Sequence, residues 1–253
     1  MKQVSFKNKK IFYRVVGKGK PVVLLHGFAE DGSLWNYQIE KLKQNFQVII
    51  PDLPGSGASE MIEGKLSISD YADAIKSIVD VEIRKDAIAF TIIGHSMGGY
   101  ISLAFAEKYL ELLNGIGLFH STSFADDDQK KEARNKGIDF IKKNGAETFL
   151  KNTAQNLFSE TTKKENPALP KKLITLSKNL TPDVLIQYYE AIRDRPDRSS
   201  ILKYFAKPVL FIQGFYDNAT PLQSGLEQSH MAPVTYFKIL KDSGHVGRRI
   251  KLN

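Results

Sequence analysis

Apolar residues along the chain follow two periods. In short blocks they are consecutive: "PVVLLHG" (Pro21–Gly27), "VII" (Val48–Ile50), "AFTIIG" (Ala89–Gly94), "GIGLF" (Gly115–Phe119), "PVLFIQG" (Pro208–Gly214) and "VTYFKIL" (Val234–Leu240). Runs that are apolar on both faces suit the strands of a buried, mostly parallel sheet. Between these blocks the spacing changes to three and four. Ile68, Tyr71, Ala72, Ile75, Ile78 and Val79 mark one helical face, and Ser67 with Asp70 forms a capping box in front of it. Ser33–Phe46 and Met97–Tyr109 predict two further helices. At the start of the chain, Val4–Phe6 and Ile11–Val16 flank "KNKK" and predict a hairpin. Strand and helix alternate, so the predicted class is α/β: a mostly parallel sheet flanked by helices.

From Ser121 to about Phe205 the strand pattern stops. "DDDQKKEARNKGIDFIKKNGAETFLKNTAQNLF" is charged and helix-periodic, and "TPDVLIQYYEAIRD" is another helix with Pro182 in its first turn. A block this long does not stay structureless inside a domain. It is expected to be a helical insertion between two strands, which divides the chain into a core of residues 1–120 and 206–253 and a helical cap of residues 121–205.

Composition narrows the functions available. The chain has 253 residues, 42% hydrophobic, enough to bury a full core. It has no cysteine, which excludes disulfides, a thiol nucleophile and thiolate-held zinc. The formal net charge is +8, but the lysines are scattered or in pairs such as Lys9-Lys10, Lys130-Lys131 and Lys171-Lys172. With no basic run interleaved with aromatics, a solvated surface is expected, with no nucleic-acid partner. The first twenty residues lack the apolar stretch of a signal peptide, and no run reaches the ~18 apolar residues of a membrane span. A soluble, cytoplasmic protein is expected; the oligomeric state is not readable.

The candidate chemistry lies at one corner. "FTIIGHSMGGYISLAF" (Phe90–Phe105) starts as a strand, passes three glycines and becomes a helix. Gly94, Ser96 and Gly98 spell G-x-S-x-G at that junction. A serine on such a sharp turn is strained, its neighbours two residues away must be small, and its hydroxyl is lifted toward the following helix N-terminus. The competing reading is a glycine-rich turn that merely packs helix on strand.

A serine hydroxyl needs a base to become a nucleophile. His245, in "KDSGHVG" beyond the last strand, and Asp217, in "QGFYDNATP" beyond the strand "VLFIQ", supply a base and an acid in the chain order Ser, Asp, His. The other histidines have structural readings. His230 sits in a surface helix, His95 points away from the Ser96 hydroxyl, His26 ties a loop, and His120 ends a strand and lines a pocket. Asp126, Asp127 and Asp128 are an alternative source of the acid, although a triple aspartate before lysines is more often a solvated helix start. No histidine pair has metal-ligand spacing, so no metal is expected. The backbone N–H groups of Met97, and of Phe28 in the loop after "VVLLHG", are candidates for an oxyanion hole.

Taken together, "LLHGFAEDGSLW" (Leu24–Trp35), "PDLPGSGAS" (Pro51–Ser59), "IGHSMGGY" (Ile93–Tyr100), "PVLFIQGFYDNATP" (Pro208–Pro221) and "SGH" (Ser243–His245) resemble a capped α/β-hydrolase, on the side of serine esterases and enol-lactonases. The resemblance implies Ser96 as nucleophile, Asp217 as acid, His245 as base, Phe28 and Met97 as the oxyanion hole, and no cofactor. It implies a small-molecule ester or lactone as substrate, in a pocket for which His120, Phe124 and Trp35 are candidate linings. Phe140, Phe149, Phe158, Tyr188 and Tyr189 are expected mostly to pack the cap's own core. Arg193, Arg195 and Arg198 either hold a substrate carboxylate or, as is expected first, make salt bridges within the cap. Family members continue past the histidine into a further helix; here "VGRRIKLN" follows, so that helix is expected to be missing. The same fold and triad also serve lyases and perhydrolases, and a capped pocket can act as a non-catalytic sensor.

Overall fold

The computed structural model describes residues 1–83, 89–177 and 180–246. The tail on which a missing helix was expected falls at 247–253, outside the described residues. One sheet of eight strands organises the chain, in the order β1-β2-β4-β3-β5-β6-β7-β8. β1 (Lys2–Phe6) and β2 (Lys9–Val16) form the expected hairpin, and β2 runs antiparallel to β4 (Phe46–Pro51). From β4 onward every pairing is parallel: β3 (Lys20–Leu25), β5 (Phe90–His95), β6 (Leu113–Phe119), β7 (Val209–Gly214) and β8 (Thr235–Leu240).

The consecutive apolar runs serve both faces of this sheet. Val23, Leu25 and Ile49 point into the larger cluster, with α2 (Ile68–Glu82) and α3 (Met97–Tyr109) packed on them. Val22, Leu24, Val48 and Ile50 point the other way and meet Trp35, Ile39 and Phe119. Ser67 caps α2, and its box with Asp70 is complete. The helix predicted over Ser33–Phe46 is shorter. It consists of a 3-10 turn at Gly32–Trp35 followed by α1 (Asn36–Leu42), and Phe46 already belongs to β4.

Between β6 and β7 lie α4 (Asp128–Thr153), α5 (Glu160–Glu165), α6 (Leu169–Leu176), α7 (Pro182–Arg193) and α8 (Ser199–Tyr204); α9 (Leu222–Ser229) follows β7. α4 breaks at Gly145, whose φ of 79° a side chain would resist. α7 is pinned above the sheet's carboxyl edge by buried polar contacts. The Tyr188 hydroxyl donates to the Pro54 carbonyl at 2.8 Å, and Gln187 Nε2 to the Ile62 carbonyl at 2.8 Å. Val184, Leu185 and Tyr188 join the same apolar cluster as the sheet and α3, so this region shares the main core. No helix among the described residues is long and apolar enough to cross a membrane.

At the corner between β5 and α3 backbone packs directly on backbone. A Cβ on Gly94 would lie 2.0 Å from the Gly98 carbonyl carbon, and one on Gly98 would lie 2.5 Å from the Leu25 carbonyl oxygen. These neighbours are backbone and cannot swing aside. Gly94→Ala is therefore expected to lower stability by about 3 kcal/mol or more, which in a chain of this size is a drop of roughly 6–12 °C in melting temperature. A circular-dichroism melt of the variant beside wild type measures it, and an unchanged melt would contradict the packing.

Candidate active site

The carboxyl ends of β3, β5, β6, β7 and β8 bring the chemistry-bearing residues to one edge of the sheet, the usual place for a ligand site in an open parallel sheet. Ser96 follows β5 with φ 49° and ψ −115°, a conformation that costs a non-glycine residue about 1–3 kcal/mol. Its N–H is anchored on the Phe119 carbonyl at 2.9 Å, and Gly94 and Gly98 leave the room it needs. The hydroxyl then meets a ring from the other end of the chain: Ser96 Oγ lies 2.9 Å from His245 Nε2.

His245 Nδ1 lies 3.0 Å from both Oδ1 and Oδ2 of Asp217. A carboxylate only accepts, so Nδ1 carries the proton and Nε2 presents its lone pair to the Ser96 hydroxyl. Asp217 is itself held on several sides. Oδ1 accepts the N–H groups of Ala219 and Thr220, each at 2.9 Å, and Oδ2 accepts the Thr220 hydroxyl at 2.7 Å. Burial alone would raise the pKa of this carboxyl, but the charge of His245 and the bonds from His120 and His245 outweigh it and hold Asp217 well below the usual carboxylate range.

The loop carrying His245 is fixed from above and beside. The Val246 N–H donates to the Leu157 carbonyl at 2.9 Å, and the Tyr216 N–H to the Ser243 carbonyl at 2.9 Å. Ser159 Oγ donates to the Asp242 carbonyl at 2.5 Å. The segment between β6 and β7 therefore helps to place the imidazole.

His120 takes a different place from the one expected. It ends β6 with φ 49°, is fully buried, and turns Nδ1 onto Asp217 Oδ2 at 3.0 Å instead of facing the cavity. Burial pushes its ring down to about 4, and its Nε2 has no partner among the described residues, so it stays neutral. His120, Asp217 and His245 have donor atoms within 4.8 Å of one another, a set that could in kind hold a metal. The contacts are at hydrogen-bond length, and both imidazoles already have a proton to give to Asp217.

Phe124 and Trp35 also depart from expectation. Trp35 is buried beneath the sheet's far face, edge-on to Phe119, because the loop after β3 turns back under that face before α1 begins. Phe124 is half-buried outside the cavity, its carbonyl accepting from Arg195 Nη2 at 2.9 Å. The cavity at Ser96 has a volume of about 110 Å³ and lies between the sheet edge and α4, α6 and α7. Ser96, His245 and Phe28 border it, with Leu150, Leu173 and Ile192 as apolar wall. Phe28 stacks on Tyr189 with ring centroids 4.4 Å apart, while Phe149, Phe158 and Tyr188 are buried in packing. Met97 is the first residue of α3, so its N–H is at the helix's positive end beside Ser96. His26 ties a loop, as expected: its Nε2 accepts the Leu53 N–H at 2.9 Å.

Two charged residues of the cavity wall, Arg134 and Glu30, are not singled out by the sequence; Glu30 pairs with His95, which turns away from the Ser96 hydroxyl as expected. His95 Nε2 lies 3.1 Å from the His245 carbonyl, which only accepts, and Nδ1 lies 2.8 Å from Glu30 Oε2. That same oxygen accepts the Gly27 N–H at 2.7 Å. Both ring nitrogens thus carry protons, and the pair is an imidazolium against a carboxylate. Burial opposes both charges, yet each partner overcomes it for the other: His95 is raised and Glu30 lowered. The pair ties the loop after β3 to the loop of His245.

The comparisons with known proteins agree with this architecture. A parallel sheet with a strained serine between β5 and α3 is the α/β-hydrolase arrangement, and the model of the alpha/beta hydrolase fold family matches residues 20–247. The chain belongs to that family. An esterase from Thermogutta terrifontis, solved with malate bound, superposes with a TM-score of 0.88 at 27% identity, over 94% of this chain and 87% of that one. The enol-lactonase from Burkholderia xenovorans LB400 gives 0.87 at 19% identity, over 97% and 93%, a likeness of fold. An (E)-2-((N-methylformamido)methylene)succinate hydrolase from Acinetobacter baylyi is 31% identical over 116 residues, 43% of each chain. The chain spans less than half the length of several curated relatives it matches, down to 30% of an uncharacterised Mycobacterium tuberculosis protein.

The buried pair has a defined pH signature. A raised His95 contributes stability that is complete below the ordinary histidine value and lost as pH rises through its folded value. A lowered Glu30 contributes stability that is present above the ordinary carboxylate value and lost as pH falls through its folded value. The melting-temperature gap between wild type and Glu30→Gln should therefore be widest between about pH 4.5 and 6.5 and narrow at higher pH. A gap that widens steadily toward alkaline pH would contradict the ionised pair.

Proposed function

We propose that the chain hydrolyses a small carboxylic ester or lactone through an acyl-enzyme on Ser96. The observation that carries this reading is the continuous path from Ser96 Oγ to His245 Nε2 at 2.9 Å and from His245 Nδ1 to Asp217 at 3.0 Å, at the mouth of an apolar cavity. The esterase and enol-lactonase neighbours support the same class of substrate.

In this reading the Ser96 oxygen attacks the substrate carbonyl carbon while its proton passes to His245 Nε2. Asp217 stabilises the imidazolium and fixes its tautomer. The carbonyl oxygen gains the electron pair and is held by the N–H groups of Phe28 and Met97, each such donor being worth about 2.7–4 kcal/mol of barrier. The alcohol leaves with the proton from His245, and water, deprotonated by the same ring, releases the acid. No further group is required for the proton balance. Residues 121–205 act as the cap over a core of residues 1–120 and 206–253, excluding bulk water from the cavity.

Two variants test the reading on a panel of nitrophenyl esters of increasing acyl length. Ser96→Ala should lower turnover roughly 10³–10⁶-fold, and Asp217→Asn about 10⁴-fold by imposing the wrong tautomer. The small cavity favours short acyl chains. Turnover that survives Ser96→Ala would remove the proposal, and stoichiometric binding without turnover would mark a sensor instead.

A further inference from the structure

Resting on the hydrolase reading, we propose that the substrate carries a second, ionised carboxylate, held by the guanidinium of Arg134. The charges beside the cavity do not balance. Asp126, buried just before α4, faces two cations: Arg195 Nη1 at 2.9 Å from Oδ1, and Arg134 Nε at 3.2 Å from Oδ2. One carboxylate cannot neutralise both.

The two arginines are not equivalent. Arg195 is engaged through both terminal nitrogens, while its buried Nε has no partner among the described residues. It is buried, it lies 4.0 Å over the Tyr100 ring, and it donates to the carbonyls of Ile192 at 2.7 Å and Phe124 at 2.9 Å. Arg134 is half-buried and borders the same cavity as Ser96 and His245. It lies over Tyr189, 5.1 Å from the ring centroid, and Tyr189 is in turn stacked on Phe28. Burial works against its charge, but Tyr189, Tyr100 and Asp126 outweigh that and keep it a cation.

The other ionised groups of the cavity wall are already matched, Glu30 with His95. Asp217 is enclosed by His120, Thr220 and His245. Arg134 is thus the surplus cation in a wall whose apolar part includes Leu150, Leu173, Ile174 and Ile192. A flat guanidinium fixed by an aromatic face and one carboxylate presents its remaining N–H groups as a fork, the geometry that recognises a carboxylate. The arginines that the sequence offered for this task are spent elsewhere: Arg193 on Asp194 and Asn135, Arg198 on Glu107 and Ser69.

Matched ester pairs test the inference by pH-stat. Monomethyl succinate against methyl butyrate places the charge on the acyl side, and acetoxyacetate against ethyl acetate places it on the alcohol side. In wild type, one of the charged esters should exceed its neutral partner in kcat/KM by roughly 10- to 100-fold, the range of a charge-assisted bond. That ratio should collapse in Arg134→Gln, fall partway in Arg134→Lys, and persist in Arg193→Gln. Calorimetric titration with succinate adds a readout free of turnover: binding to wild type, weakened at least tenfold in Arg134→Gln. Should the glutamine variant fail to fold, the lysine variant, which keeps the charge but not the fork, must still show a reduced ratio and weaker succinate binding. Equal ratios in wild type and both variants, with neutral esters still turned over, would overturn the Arg134 site and leave the hydrolase reading intact. If no ester is turned over, the hydrolase reading fails and the succinate titration alone decides the carboxylate site.

Discussion

The contact on which this molecule depends is backbone against backbone: α3 entering so close to β3 and β5 that neither Gly94 nor Gly98 can carry a side chain. That approach forces Ser96 into a positive φ and turns its hydroxyl outward, beside the positive end of α3. Loosening the corner by one methyl group would move the hydroxyl by more than a hydrogen bond tolerates. The strain at Ser96 is held by the apolar clusters on both faces of the sheet, which spread its cost over the whole core.

Around that corner, burial and charge oppose each other repeatedly, and the outcome is settled by pairing. Asp217 stays ionised because two backbone N–H groups, a hydroxyl and two imidazoles surround it. Glu30 and His95 stay ionised because each is the other's partner. His120, with nothing at Nε2 to receive a second proton, is left neutral. Removing one member of such a set leaves a buried charge unpartnered, which costs more than the pair itself contributes.

Much of this was legible in the chain because it is local or ordered. The consecutive apolar runs are the parallel strands, and the three residues picked from strand ends, Ser96, Asp217 and His245, are the ones the fold gathers. Trp35 was misplaced because its neighbourhood in sequence lies by the cavity, while the 3-10 turn carries its ring under the opposite face. His120 stands at a strand end, where a side chain usually faces a ligand, but its positive φ turns it onto Asp217. Asp126 looked like one of three solvated acids, yet it is buried between two arginines while Asp127 caps α4. Glu30 and Arg134 gave no signal, since an isolated charge in a polar stretch looks solvated until tertiary packing supplies its partner.

In the proposed function the Ser96 hydroxyl is a nucleophile activated by the imidazole of His245. The most direct measurement is reaction with a fluorophosphonate, followed by intact mass and peptide mapping, which needs no knowledge of the substrate. A single adduct per chain is expected, on Ser96, forming far more slowly after His245→Ala. No adduct, or an adduct on another serine with Ser96 unmodified, would contradict it.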